Sequence, residues 1–223
     1  MSKAAPSPAA LPRFCRRPEA RPEELVEAAI AVFGEHGFRA ATLEEVARRA
    51  GVSKGTVYLY FTSKEDLFRA MVEKKIIPLI EAGEASVRDH VGTSADLLRQ
   101  LMCRLWERIS RPDMVHLARV IQAELNHFPE LKRLYFEQVI QRQRRLLRSI
   151  AERGVAAGEF RPEAVTLVPM MVPSLILHLN QYRFLFGDLD RGLPTSDATR
   201  ELVFSLVLDG IRTPPRAARG KKG

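Results

Sequence analysis

Apolar positions along this chain recur every three to four residues from Val26 almost to its end, and no stretch alternates with the period of two that a half-buried strand needs. The first stripe is Val26, Ala29, Ile30 and Phe33. Pro22, at a first-turn position, and Glu23 and Glu24, at the positive helix end, open it. It should close near His36-Gly37, with Phe38 folded back onto it. A second stripe, Leu43, Val46, Ala47 and Ala50, ends at Gly51, and Ser53 opens a third segment in which Val57 and Phe61 share a face. Ser63 with Asp66 is a capping pattern ahead of Leu67, Phe68, Met71 and Val72. Pro78, with Gly83 and Gly92 nearby, should break or kink that helix, so residues 76–92 are read as a domain junction. Helical stripes then follow over 94–110 (Leu97, Leu98, Leu101, Leu105, Ile109) and 112–126 (Val115, Leu117, Val120, Ile121, Leu125). One long helix is predicted over 130–156. Another spans 162–186 and is kinked by its prolines, and the last covers 195–211. The expected fold class is all-α.

The densest local signals lie between Thr42 and Lys64. Thr42 and Glu45 have the spacing of a capping box, in which each side chain serves an orphan backbone N–H of the other. Gly51 supplies the positive φ of a tight turn, and only about three residues separate the two short helices, the arrangement of a helix-turn-helix. With Val57 and Phe61 turned inward, Lys54, Gly55, Tyr58 and Leu59 face out, flanked by Thr56 and Tyr60. Tyr and Thr hydroxyls donate to phosphate oxygens, and Lys54 reaches a phosphate or a guanine edge. Gly55 removes bulk next to a groove, and Leu59 suits a thymine methyl. Lys64, at the start of the next helix, is placed for a backbone phosphate. The competing reading is a small helical hairpin with partly exposed aromatics and no role on DNA.

Composition refines this without redirecting it. With 223 residues, 46% hydrophobic and 28% charged, the chain is an ordinary globular protein of one or two domains. A net charge of +8 favours an anionic partner, but alone says little. Cys15 and Cys103 lie far apart, so no disulfide framework or CxxC metal motif is present, which fits a reducing cytoplasm. Residues 1–20 lack an apolar secretory core, and the apolar run 165–179 is short for a membrane span and interrupted by Pro169 and Pro173. No membrane partner and a cytoplasmic location are therefore expected. Lys3, Arg13, Arg16, Arg17 and Arg21 form a candidate basic arm in a segment read as disordered, 1–21, although a solvated tail is the simpler reading. Arg142, Arg144, Arg145 and Arg148 are read as a solvated helix face.

Residues 42–67, T-L-E-E-V-A-R-R-A-G-V-S-K-G-T-V-Y-L-Y-F-T-S-K-E-D-L, resemble the DNA-binding segment of the TetR family of bacterial transcriptional regulators. The likeness extends over residues 22–72, including Ala28-Ala29-Ile30, Phe33 and Gly37-Phe38. It implies that Thr42, Thr56, Tyr58, Tyr60 and Lys64 contact phosphates, and that Ser53, Lys54, Gly55 and Leu59 face the bases. Glu44 departs from that pattern; an acidic side chain near the DNA backbone does not itself bind phosphate, and it is left out of the set. The segment from Ala123 to Leu131 resembles the AefR-like branch. Residues 151–162 resemble the segment that links the long helix to the dimerisation pair in many members.

The resemblance implies a helix-turn-helix DNA-binding domain over 22–75, a helical effector-binding and dimerisation domain over 76–213, and a basic tail over 214–223. Leu175, Ile176, Leu179, Leu202 and Leu206 exceed what one small domain must bury, and a four-helix bundle between two copies would cover them. Trp106, Met114, Leu117, Ile121, Phe136, Met170, His178 and Tyr182 are candidate lining residues of an adaptable apolar pocket, with His116, Gln122, Asn126, His178 or Asn180 as polar anchors. For any one of them, ordinary core is the plainer reading. The histidines have no metal-ligand spacing, and no catalytic triad, phosphate loop or dinucleotide fingerprint is present; neither a metal, nor a cofactor, nor an enzyme activity is expected. The functional expectation is a homodimeric repressor released from a palindromic double-stranded DNA operator by a small, largely apolar effector. The alternatives are an activator and a helical small-molecule-binding or interaction protein without operator-specific binding.

Overall fold

The computed structural model describes residues 21–192 and 196–214, so nearly all of the expected basic arm and tail lie outside the described residues. The described residues are helical throughout, apart from turns and one isolated antiparallel bridge between Phe160 and Arg212. In order they form α1 (Arg21–His36), α2 (Leu43–Arg49), α3 (Lys54–Tyr60), α4 (Lys64–Lys75), α5 (Ile77–Asp89), α6 (Ser94–Ile109), α7 (Pro112–Glu124) and α8 (Pro129–Tyr135). A π-helical turn (Phe136–Ile140) joins α8 to α9 (Gln141–Ala156), and α10 (Ala164–Phe186) and α11 (Ser196–Ile211) complete the fold. The segment read as a junction is itself helical: α4 stops at Lys75, and Ile77-Pro78 begins α5, because proline fits the first turn of a helix whose N–H groups have no partners.

Two hydrophobic clusters organise these helices. The first holds the stripes of α1 to α4, with Val26, Phe33, Phe38, Val46, Val57, Leu67 and Met71 all but inaccessible to solvent. It does not end with α4, since Met114, Leu117, Val120 and Ile121 of α7, Leu131 of α8 and Val139 of the π turn belong to the same cluster. The second joins α6, α9, α10 and α11 through Leu98, Met102, Trp106, Ile150, Val172, Ile176 and Phe204. The deepest stripe of α6 is thus Leu98, Met102 and Trp106, whereas Leu101, Leu105 and Ile109 are only partly covered.

The π turn explains how one long helical path serves both clusters. At ~100° per residue, Leu131 and Val139 would be ~80° out of phase on a regular helix. A turn that takes up about one extra residue brings them back to within ~20° of each other. Both then face the first cluster, while Leu147, Ile150 and Ala151 beyond the turn face the second. Pro169 and Pro173 do not interrupt α10, which runs through both, and the Ser174 hydroxyl donates to the Met170 carbonyl (2.8 Å).

At Gly154 the packing of α9 on the following turn leaves no room for a side chain: a Cβ there would lie 2.1 Å from Cδ2 of Phe160. Gly210 of α11 faces open space. Gly154→Ala should therefore lower the unfolding free energy by about 1–3 kcal/mol despite the better helix propensity of alanine. Gly210→Ala should raise it by about 0.5–1 kcal/mol for the single chain, in which only the open α10–α11 groove faces this residue. Denaturant titration of the two variants beside the parent chain checks both signs.

Candidate nucleic-acid interface

The reading surface is built by caps. Thr42 closes the start of α2 with a complete capping box: its Oγ1 accepts from the Glu45 N–H (3.2 Å), and its own N–H donates to the Glu45 carboxylate (2.8 Å). At the other end Ala50 is followed by Gly51 at φ +66°, which only glycine adopts without strain. The Gly51 N–H then reaches the Arg48 carbonyl (3.2 Å), and the Val52 N–H reaches that of Ala47 (3.0 Å). This pair of bonds is a Schellman closure and leads directly to Ser53. Ser53 Oγ accepts from the Thr56 N–H (3.2 Å) and shares a hydroxyl–hydroxyl bond with Thr56 Oγ1 (2.9 Å), so α3 starts at Lys54.

Val57 is fully buried and Phe61 nearly so, which aims the opposite face of α3 outward. Leu59 is 80% exposed, and Tyr58 and Tyr60 keep 44% and 39% of their surface. Large apolar and aromatic side chains left in water on a seven-residue helix that is otherwise well anchored mark a contact surface. Lys54, Gly55 and Ser53 share this exposure, while Thr56 is half-buried.

The two lysines of the set behave differently. Lys54 forms an ion pair with Glu44 of α2, and its ammonium lies 5.6 Å from the centre of the Tyr58 ring. Lys64 turns inward: its Nζ donates to the backbone carbonyls of Phe38 (2.8 Å) and Arg39 (2.9 Å) and lies 5.1 Å from the centre of the Phe38 ring. It therefore secures the turn after α1, a job that spacing alone did not suggest. Thr42 has a similar double duty, since its hydroxyl donates to the Glu45 carboxylate (3.1 Å). The acidic Glu44, omitted on sequence grounds, stands inside this surface.

The candidate pocket residues do not gather around one opening. Trp106 belongs to the second cluster and donates through Nε1 to Ser196 Oγ (3.2 Å). Met114, Leu117 and Ile121 pack into the first cluster, and Phe136 and Met170 are exposed at 43% and 57%. Tyr182 donates to the Asp190 carboxylate (2.9 Å), and His178 is exposed. Of the polar anchors, Asn180 is buried and satisfied, paired with Ser110 Oγ (2.6 Å) and donating to the Ile176 carbonyl (2.8 Å). His116 is wedged between two helices: a Cβ at Gly34 of α1 would lie 2.7 Å from its Nδ1, and its ring meets Phe184 of α10 edge-on at 5.0 Å.

The candidate dimer residues divide. Leu202 and Leu206 of α11 are 63% and 67% exposed, and Leu206 lines a groove of about 100 Å³ with Leu167 and Met171 of α10. Leu175 and Leu179 are partly covered. Ile176 is completely buried within its own subunit and leaves the set, because the i, i+4 row through Val172 points into the second cluster. Met170, Met171 and Leu167 share the exposed side instead.

Two family profiles match the chain: bacterial regulatory proteins of the tetR family over residues 25–71, and the AefR-like transcriptional repressor C-terminal domain over residues 96–208. Among curated relatives, the HTH-type transcriptional repressor KstR2 of Mycobacterium tuberculosis is 30% identical over 153 residues, 68% of this chain and 74% of that protein. The fatty acid metabolism regulator protein of Bacillus subtilis is 26% identical over 138 residues, 62% of this chain and 70% of that protein. The fold is shared with the transcriptional regulator FadR from Bacillus subtilis, solved in complex with stearoyl-CoA (TM-score 0.69, 24% identity). That likeness covers 85% of this chain and 99% of that one.

The contrast between the two lysines makes a prediction that needs no DNA. Lys64→Met should destabilise the isolated protein by about 1.5–3 kcal/mol, the cost of leaving charge-assisted bonds to two carbonyls unmade. Lys54→Met should leave the thermal midpoint where it was. Calorimetry on the two variants separates them, and equal midpoints would mean that the Lys64 bonds carry no stability.

Proposed function

The chain belongs to the TetR family of DNA-binding transcriptional regulators, and from that premise we propose that it acts as a homodimeric repressor, released from a palindromic operator by a small, largely apolar effector. The observation that carries this reading is the outward face of α3, with Tyr58, Leu59 and Tyr60 exposed on a helix held from behind by Val57 and Phe61. In a major groove, Leu59, Lys54, Gly55 and Ser53 face the bases. Tyr58, Tyr60 and Thr56 donate to the flanking phosphates, with Thr42 and Lys64 at the margin because their polar atoms already serve the fold. Such a protein works where the chromosome is, in the cytoplasm, and regulation rather than catalysis is its task.

The exposed apolar strip of α10 and α11 supports the dimer. Leu167, Met170, Met171, Leu202 and Leu206 lie on one side of the two helices, and a second copy related by a two-fold axis would bury them in a four-helix bundle. That contact also accounts for the length and apolarity of α10, the one described helix long and apolar enough to cross a membrane. Two recognition helices held this way enter successive major grooves roughly 34–36 Å apart. For the effector, the structures of FadR with stearoyl-CoA, whose acyl chain is apolar although its coenzyme A head is charged, and of SmeT with triclosan support a ligand with a large apolar part. In this chain α7 is the element through which a ligand would act, since Met114, Leu117 and Ile121 belong to the core of the reading head while His116 touches α10. A ligand that moves α7 moves the head, and it shifts DNA affinity only so far as it binds the two arrangements unequally.

Two measurements test the reading. Duplex binding should weaken steeply with salt, the slope of log affinity against log salt concentration being about −0.9 for each phosphate neutralised. Tyr58→Ala combined with Tyr60→Ala should abolish that binding and leave the dimer intact; loss of the dimer would mean these rings are structural. Leu206→Arg should instead yield a folded monomer in analytical ultracentrifugation, with DNA affinity reduced at least tenfold, and an unchanged dimer would move the interface elsewhere.

A further inference from the structure

Glu44 is the residue that the contact surface does not explain. It lies in the first turn of α2, is half exposed, and reaches across to the first residue of α3 to pair with Lys54. The Lys54 ammonium in turn lies over the ring of Tyr58, one helical turn further along the outward face. Two side chains of the outward face, Lys54 and Tyr58, are thus interlocked around one carboxylate. The Lys54 ammonium above all, helped by the backbone N–H of Glu44 and by the Tyr58 hydroxyl, holds the Glu44 carboxyl below the usual carboxylate range, so it is charged at neutral pH. Exposed ion pairs of this kind add little to stability, so the fold does not require it.

A lysine at the start of a recognition helix has a long flexible stem and three donors, and left to itself it finds any phosphate within reach. Such contacts are sequence-blind and supply nonspecific affinity. Glu44 changes the competition. A phosphate approaching Lys54 meets a carboxylate already on the ammonium, whereas a base edge that offers well-placed acceptors, such as guanine O6 and N7, can compensate with directed bonds. Repulsion aimed at the wrong partner is a general route to specificity.

Building on the DNA-reading role assigned above, we infer that Glu44 is a specificity-determining positioning residue: by holding Lys54 against Tyr58 and away from phosphate, it suppresses nonspecific DNA binding and reserves Lys54 for the bases. Glu44 acts through Lys54 and makes no phosphate contact itself.

The test compares the wild-type chain, Glu44→Gln, Lys54→Met and the double variant. Each is titrated on a random-sequence duplex and on a duplex carrying the sequence that the wild-type protein enriches from a random pool. Glu44→Gln should bind the random duplex roughly eightfold more tightly at about 0.1 M salt and steepen the salt slope by about 0.9, one phosphate's worth. Its affinity for the enriched duplex should rise less, so that its preference narrows. The double variant should lose the gain, because the freed lysine is gone. The inference is overturned if Glu44→Gln keeps the wild-type salt slope and preference while the wild-type protein still enriches a sequence. It is overturned as well if the gain survives in the double variant, since the charge would then act without Lys54. If the wild-type chain binds neither duplex, the DNA-reading assignment fails first and takes this inference with it.

Discussion

The structure depends on a knot at Phe38. This residue follows the positive-φ turn at Gly37, and its ring makes edge-to-face contacts with Phe33 of α1 (5.0 Å), Phe68 of α4 (5.9 Å) and Phe128 ahead of α8 (5.1 Å). Aromatic pairs in this arrangement place the positive edge of one ring against the negative face of another. The Lys64 ammonium completes the knot by binding the Phe38 and Arg39 carbonyls in the turn that follows α1. Helix α3 has seven residues and would be marginal alone. It is held in place because α2 and α4, on either side of it, are tied to the same turn. Arg49 adds a two-pronged bond from α2 to Glu35 of α1 (2.8 Å to each oxygen).

The knot also decides how far the reading head extends. Phe128 draws the start of α8 into the first cluster, and α7 follows with Met114, Leu117, Val120 and Ile121. The head therefore shares a continuous core with part of the C-terminal half, and a displacement of α7 or α8 has no soft linker in which to dissipate. The π turn at Phe136–Ile140 lies between that shared core and the second cluster. Gly34 lets α7 approach α1 so closely that His116 fills the gap, with Phe184 of α10 on its other side. A chain of contacts thus runs from Phe184 near the end of α10 through His116 of α7 to Gly34 of α1.

Features that depend on residues close in sequence were legible in advance. The Thr42–Glu45 box, the Gly51 turn, the Ser53 cap and the inward pair Val57 and Phe61 follow from spacing and backbone chemistry, and all appear in the structure. What spacing does not encode is which distant backbone a side chain meets. Lys64 reaches carbonyls twenty-five and twenty-six residues earlier, so a lysine placed for phosphate also holds a turn together. The charge of Glu44 argues against a phosphate contact, yet an acid ten residues before a lysine across a tight turn is itself a signal that links the two. In the C-terminal half, periodicity identified the helices but not their partners. Trp106, Leu117 and Ile121, candidates for a pocket lining on residue type and more plainly readable as core, are buried in the two clusters, and Ile176, expected at an interface, faces inward. The π turn has no signature in the apolar pattern, and its effect is visible only once Leu131 and Val139 are seen on one face.

The central claim is that two copies of this chain present α3 to successive major grooves. Hydroxyl-radical footprinting of the protein on a duplex enriched from a random pool reads that arrangement directly. Two protected half-sites related by a two-fold axis, centred about one helical turn apart or a multiple of it, are expected. A single protected patch, or enrichment of no sequence at all, would contradict it.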